Sequence, residues 1–439
     1  MPPVAWSIAG IIEGFYGRPW SWDERATVMR FCHERGMRHY VYAPKDDPKH
    51  RAEWRVPYDS ETLDGFARLA SEGTLRVGFG ISPGLSIDYG SWDDRADLAR
   101  KIDQVVGVGV DLVCLALDDI PFGGREQGVA HADLTKWLRE HLGDRASLLL
   151  VPTEYVGTAP TPYLDALAAG VPADVPIAWT GRYVVNGTIT VADAEARAAA
   201  LGDRQPLVWD NYPVNDGIMT DRLHLGPLWG RDAGLSERCC GYLANPLVQP
   251  RATLLPLASV AAWLSGGDPV SAWAAEAEAM GMRVFAEACD GSVPNALAER
   301  AIEWIDDPRG WNDAAAPLRS WLEDAARCAA PGLEGEADRW LDQVHTEARL
   351  GLDAVRLVDL AHEERFGAAI ELAFTVGVLW AAARRSDVSV MGTRFGLQPA
   401  LGQRPDGTWS FGAESVIEDA NATDALVRAA LRELATRST

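Results

Sequence analysis

The stretch DLVCLALDD, residues 111–119, decides how the rest of the chain is read. A run of Leu, Val, Cys and Ala bounded by charge, then by Pro121 and Gly123-Gly124, has the composition of a parallel strand covered on both faces. Asp118 and Asp119 close that run, so both acids belong where a strand gives way to its loop. Taken alone, an Asp-Asp pair is more often a helix cap or a solvated turn. Its place at the end of a buried strand points instead to acid–base chemistry in an enclosed mouth.

Working outward, seven more runs of the same kind occur in the first 266 residues: 7–14, 39–44, 76–82, 147–153, 175–181, 206–211 and 240–246, which with 111–118 make eight. Amphipathic stretches lie between them, such as DERATVMRFCHERG, SETLDGFARLASEG, DDRADLARKIDQVVGVG and VADAEARAAALG. Several open on Ser or Asp and close on Gly, as capped helices do. Eight strand–helix units in about 260 residues describe an α/β fold, the (β/α)8 TIM barrel. The doubly wound open sheet competes with it, but no GxGxxG follows the first strand, so a dinucleotide site is not indicated. From the GGDP at 266–269 onward the texture changes to 3.6-residue periodicity without strand runs. The expected division is a catalytic barrel over 1–266 and an α-helical domain over 267–439, the latter interrupted by an irregular loop or small hairpin around 386–415.

Composition narrows the function. The chain has 439 residues, 47% hydrophobic, enough for two sizeable cores. Its formal charge of -22, from 63 acidic against 41 basic residues, opposes attraction to nucleic acid, anionic membranes or polyanionic glycans. The N-terminal MPPVAWSIAG lacks the pattern of a signal peptide, and no run of about 18 apolar residues appears, so a cytoplasmic location is expected. The six cysteines lack CxxC spacing and the eight histidines lack HExxH or paired metal spacing, so free thiols and no metal site are expected. The 17 tryptophans continue into the helical half and are not by themselves a sugar signature.

In a barrel the chemistry gathers at the carboxyl ends of the strands. Here those ends deliver Glu13-Gly14-Phe15-Tyr16-Gly17, Lys45-Asp46-Asp47, Asp118-Asp119, Glu154-Tyr155, Trp179-Thr180-Gly181, Trp209-Asp210-Asn211 with Asn215-Asp216, and Asn245-Pro246. Rings interleaved with carboxylates and carboxamides suit a sugar, whose apolar face stacks while its hydroxyls need paired donors and acceptors. A lysine at the end of the second strand also raises the possibility of Schiff-base chemistry. Neighbouring Asp46 and Asp47 argue against it, because negative charge keeps an ammonium protonated.

The runs EGFYGRPW, YAPKDDPKHRAEWR, SPGL, DDI, PTEYVGT, WTG, WDN followed by NDG, and ANP resemble, in collinear order over roughly residues 7–250, glycoside hydrolase family 84, the β-N-acetylglucosaminidases that include protein O-GlcNAcases. The resemblance implies a retaining exo-hydrolase of terminal β-linked N-acetylglucosamine (GlcNAc) in which the substrate's own acetamido oxygen attacks and forms an oxazoline. Asp118 would orient the acetamido N–H; Asp119 would protonate the leaving oxygen and later activate water. Gly14 would let backbone approach the sugar, and Lys45 would donate to a sugar hydroxyl. Tyr155, Trp209 and Asn211 would bound the acetamido pocket, while Asp216 and Asn245 would take the outer hydroxyls. No metal or organic cofactor is implied. The partner would be a GlcNAc conjugate or an O-GlcNAc-modified protein, and the helical half is a candidate for homodimer contacts. Endo-cleavage of a polymer such as hyaluronan is the alternative activity, disfavoured by the net charge. A catalytically silent glycan binder is a further alternative, disfavoured by the intact acid pair.

Overall fold

In the computed structural model, residues 6–392, 400–403, 409–412 and 421–438 are described. All eight expected strands form: β1 Ile8–Glu13, β2 His39–Tyr42, β3 Arg76–Ile81, β4 Leu112–Ala116, β5 Ser147–Val151, β6 Ala178–Trp179, β7 Leu207–Asp210 and β8 Gly241–Ala244. They pair in parallel in the order β5-β4-β3-β2-β1-β8-β7-β6. The gap between β5 and β6 is bridged at Leu150 and Ile177, and again at Val156 and Gly181, so the sheet curls into a barrel. Its weakest element is β6, only two residues long.

Helices begin where the caps place them. Ser21 and Glu24 form a reciprocal capping box for helix Trp22–Glu34, and Asp59, Ser91 and Thr161 each cap the helix that follows. Each helix runs back over the sheet and buries its apolar stripe, which leaves the strands covered on both faces and explains their unbroken apolar runs.

The barrel interior is filled by alternate residues of the strands. Ile8 and Ile12, Val41 and Ala43, Leu112, Cys114 and Ala116, Leu149 and Val151, Leu207 and Trp209, with Ala178 and Leu243, form one buried cluster. This period of two fixes what comes next: the residue two beyond the last inward side chain faces the barrel mouth.

Two compact units can be distinguished. One comprises Met1–Asp216, Pro227–Ala272 and Gly396–Val416; the other comprises Gly217–Gly226, Trp273–Phe395 and Ile417–Thr439. The first therefore runs past residue 266 and also takes in a later segment. Within that segment the antiparallel strands β9 Ala400–Gln403 and β10 Trp409–Gly412 pair, in the stretch read from sequence as loop or hairpin. The second unit is helical, built on the 25-residue helix Asp338–His362, whose Trp340 indole donates to the Asp221 carbonyl at 2.8 Å. Its helix Phe366–Ala383 is long and apolar enough to cross a membrane. The one acid in it, Glu371, breaks the apolar run in sequence, and the helix leaves Ile370, Phe374, Val378 and Leu379 exposed. All six cysteines are free thiols.

Candidate active site

Seven of the nine candidate residues face the barrel interior or its mouth from a strand or from the chain just beyond one. Counting by two from the barrel cluster reaches Gly14 after Ile12, Lys45 after Ala43, Asp118 after Ala116, Asn211 after Trp209 and Asn245 after Leu243; Tyr155, four residues past Val151 and beyond the end of β5, is part of the cluster. Trp209 is itself part of the cluster. The acids on the opposite register go to the helix layer. Glu13 is fully buried against Arg25, with N–O distances of 2.8 and 2.9 Å, and Asp210 meets Arg231 through two contacts of 2.7 Å. Glu154 accepts from the Thr161 hydroxyl. These pairs are structural, and register separates them from the site.

Asp119 is the exception. It has the outward register, but its φ of 52° lies in the left-handed region, which turns the chain and brings its carboxylate back beside that of Asp118. A residue with a Cβ pays about 1–2 kcal/mol for such a backbone, Asp somewhat less than most. The result is that two consecutive acids face one cation: the Lys45 ammonium lies 2.5 Å from Asp118 Oδ2 and 3.9 Å from Asp119 Oδ2. Burial works against the charge on Lys45, yet Asp118 and then Asp119 outweigh it and hold its pKa above the ordinary lysine value. A protonated amine cannot act as a Schiff-base nucleophile, so the geometry removes that reading.

The two carboxylates differ in what surrounds them. Asp118 is 6% exposed; Lys45 occupies one oxygen, and the other, Oδ1, is buried with no hydrogen-bond partner among the described residues. Asp119 is exposed to the mouth and accepts from the Tyr155 hydroxyl at 2.9 Å and the Tyr16 hydroxyl at 3.0 Å. Burial first, then the charges of Asp119 and Asp118, pushes the Tyr155 phenol well above its usual pKa, so it stays a donor. Burial and then Asp119 raise the Tyr16 pKa as well, against Lys45 and Arg51.

On the other side of Lys45 the Trp209 ring stands 5.8 Å from the ammonium. The same ring passes so close to Gly14 that an added Cβ would lie 2.3 Å from Cζ2. The Trp209 indole N–H donates to Asn211 Oδ1 at 3.0 Å, and that oxygen also accepts from Asn245 Nδ2 at 2.9 Å. Asn245 Oδ1 in turn accepts from the Gly14 amide at 3.1 Å. One Nδ2 hydrogen of Asn211 goes to the Val184 carbonyl at 2.8 Å. Asp216 accepts from the Tyr16 amide at 2.7 Å and so ties down the loop after β1; burial raises its pKa against that bond.

All nine candidates thus join one network at the barrel mouth. Two participants escaped the sequence reading as site residues. Tyr16 was visible in the EGFYG run, and Arg51 lies inside YAPKDDPKHRAEWR, but neither stands on a strand register. Among the described residues, no group of three His, Cys, Asp or Glu is placed to hold a metal ion.

A barrel whose mouth holds paired carboxylates between rings and carboxamides defines a glycoside hydrolase class of site. The family model for beta-N-acetylglucosaminidase matches residues 9–290, and the chain belongs to that family, in agreement with the motif resemblance. Protein O-GlcNAcases of Rattus norvegicus and Mus musculus are each 34% identical over 273 residues, a match covering 58% of this chain and 30% of theirs. The match therefore spans under a third of those relatives' length. An O-GlcNAc hydrolase mutant from Thermobaculum terrenum superposes with a TM-score of 0.79 at 26% identity, covering 88% of this chain and 92% of that one.

Proposed function

We propose that the protein is a retaining exo-β-N-acetylglucosaminidase that removes terminal β-linked GlcNAc, from O-GlcNAc-modified protein or small conjugates, by substrate-assisted catalysis. The observation that carries this reading is the asymmetry of Asp118. One oxygen is neutralised by Lys45 and the other is a buried acceptor without a donor among the described residues. A buried acceptor left unpaired costs about 1–3 kcal/mol, and the acetamido N–H of a GlcNAc residue is a neutral donor of the right kind. Accepting that hydrogen bond makes the amide oxygen a better nucleophile toward the anomeric carbon. Retaining glycosidases usually set two carboxyl groups across the bond at about 5–5.5 Å, with substrate-assisted families as exceptions. Neighbouring acids facing the same ammonium fit the exception.

In this scheme Asp119, facing the mouth, gives its proton to the leaving oxygen as the acetamido oxygen closes the oxazoline ring. It then takes a proton from the water that reopens the ring, and the product keeps the β configuration. Tyr155 holds one oxygen of that acid, while Trp209 and the remaining Nδ2 hydrogen of Asn211 bound the acetamido group. Asp216 and Asn245 take outer hydroxyls, and Gly14 keeps the floor of the pocket low enough for Trp209 and sugar together.

Hydrolysis of aryl β-N-acetylglucosaminides by the wild type, Asp118→Asn and Asp119→Asn is the test, with a thiazoline mimic of the oxazoline as inhibitor. Both substitutions are expected to lower kcat by about 10²–10⁴-fold. Asp118→Asn should act on every leaving group, and Asp119→Asn most on those that need protonation. Thiazoline should bind the wild type tightly. A wild type that binds the sugar but cleaves none of these substrates would sink the proposal.

We further propose a homodimer through the helical unit and a cytoplasmic location. The dimer rests on Ile370, Phe374 and Val378, an exposed i, i+4, i+8 stripe in which Phe374 is 75% and Val378 71% exposed. Sedimentation at micromolar concentration should give twice the chain mass, and Phe374→Glu should halve it.

A further inference from the structure

We infer that Arg51 is a positioning residue that holds Asp119 and the Tyr16 hydroxyl together as one unit for proton transfer to the leaving group. The inference rests on the reading of Asp119 as general acid and base, and it extends the machinery to a residue in the loop after β2.

Three contacts converge on this guanidinium, whose side chain is 13% exposed. Its Nη1 donates to the Tyr16 hydroxyl oxygen at 2.9 Å and lies 3.7 Å from Asp119 Oδ2. Its Nη2 donates to the Asp119 backbone carbonyl at 3.2 Å. The last contact falls on the residue whose backbone is left-handed. Beyond β4 that carbonyl has left the sheet ladder, so a fixed external donor helps to over-determine a conformation that would otherwise relax.

The second effect is on hydroxyl direction. A tyrosine O–H can donate to only one acceptor. With Arg51 donating into the Tyr16 oxygen, the hydroxyl hydrogen is left to point at Asp119 Oδ2, 3.0 Å away. Tyr155 holds the opposite oxygen at 2.9 Å. Arg51 thereby fixes which lone pair of Asp119 stays free for the leaving oxygen. The planar fork matters, because one lysine ammonium on a flexible stem does not reproduce two donors at fixed separation.

A group that aims the acid and touches neither sugar nor acetamido should matter in proportion to how much the leaving group needs a proton. For Arg51→Met, kcat/KM should fall about 10- to 100-fold on an aryl glycoside with a poor leaving group, less than a full acid–base contribution of about 10²–10⁴-fold because the acid itself remains. It should fall less than about 3-fold on a dinitrophenyl-type leaving group, with thiazoline inhibition unchanged. Arg51→Lys should lie between, which keeps the test usable if the methionine variant folds poorly. Added guanidinium ion, below denaturing concentration, should restore part of the lost activity to Arg51→Ala. Arg51→Met and Tyr16→Phe should combine with little further loss, as parts acting through one acid do.

Equal losses on both leaving groups, or weakened thiazoline binding alongside them, would overturn the positioning role and make Arg51 part of the sugar pocket or of folding alone. If Asp119→Asn itself shows no leaving-group dependence, the reading of Asp119 fails first and takes the inference with it. The two failures are therefore told apart by the Asp119 control.

Discussion

The strand ends and the loops beyond them build this site by different rules. At the strand ends, Gly14, Lys45, Asp118, Asn211 and Asn245 are placed by the same period of two that packs Ile12, Ala43, Ala116, Trp209 and Leu243 below them, and Tyr155 packs into the same cluster. Their direction into the mouth is a consequence of the core, and the core's rigidity is theirs. In the loops, Tyr16, Arg51, Asp119 and Asp216 are held by hydrogen bonds to one another and by a left-handed backbone. The groups proposed to bind the sugar stand mainly on the first kind of support, and the group proposed to move the proton stands on the second. Precision in ring placement comes from packing, while the aim of the acid toward the leaving group comes from hydrogen bonds between loops.

If that division holds, damage at a strand end should register in stability and damage in the loops mainly in turnover. The largest expected effect is at Lys45. Lys45→Met leaves Asp118 buried beside no cation, and breaking a buried pair costs about 3–5 kcal/mol. Both side chains are under a tenth exposed, so solvent screening gives little relief. Urea unfolding should show the loss, and adding Asp118→Asn should recover most of it without recovering activity. A Lys45→Met protein as stable as the wild type would mean that the pair is open to water and that the strand-end rule overstates burial.

The next effect is at Gly14. An alanine Cβ would sit 2.3 Å from a Trp209 ring carbon, and overpacking of this kind costs about 1–3 kcal/mol. Trp209→Leu alone removes ring contacts, but in the double variant it should relieve the clash, so the two changes should couple in a double-mutant cycle. Additivity there would show that the ring swings aside freely and that Gly14 serves some other need.

The same division explains what the sequence made legible. Eight apolar runs with capped helices between them are enough to specify the barrel, since each run must be covered on both faces. Lys45, Asp118 and Tyr155 stand out in the sequence because they close expected strands and lie in the motifs that carry the family resemblance. Tyr16 and Arg51 do not, because no periodicity governs a loop. Their partnership depends on the φ of Asp119, which the residue type permits without announcing. The two-residue β6 and the bridges that close the barrel at Ile177 and Gly181 are likewise set by neighbours rather than by their own pattern. In the helical unit, Phe366–Ala383 displays a stripe of apolar residues whose exposure no single-helix pattern reveals, because periodicity identifies a face and not what covers it.

The smallest effect separates the two acids from each other. Asp118 continues a strand, whereas Asp119 holds a left-handed backbone at φ 52°, so glycine should suit the second position better than alanine. A Cβ in that region costs about 1–2 kcal/mol and glycine pays none of it, although glycine also gains freedom in the unfolded chain worth up to about 1 kcal/mol. Both replacements remove the same two tyrosine hydrogen bonds, so the comparison cancels them and isolates the backbone. Asp119→Gly should therefore match or exceed Asp119→Ala in thermal stability, by up to about 1 kcal/mol, with both equally inactive on poor leaving groups. At position 118 the order should reverse, since its backbone is not left-handed and glycine there only adds freedom to the unfolded chain. A common order at the two positions would show that the turn at Asp119 is imposed by Arg51 and the tyrosines and relaxes once the carboxylate is gone.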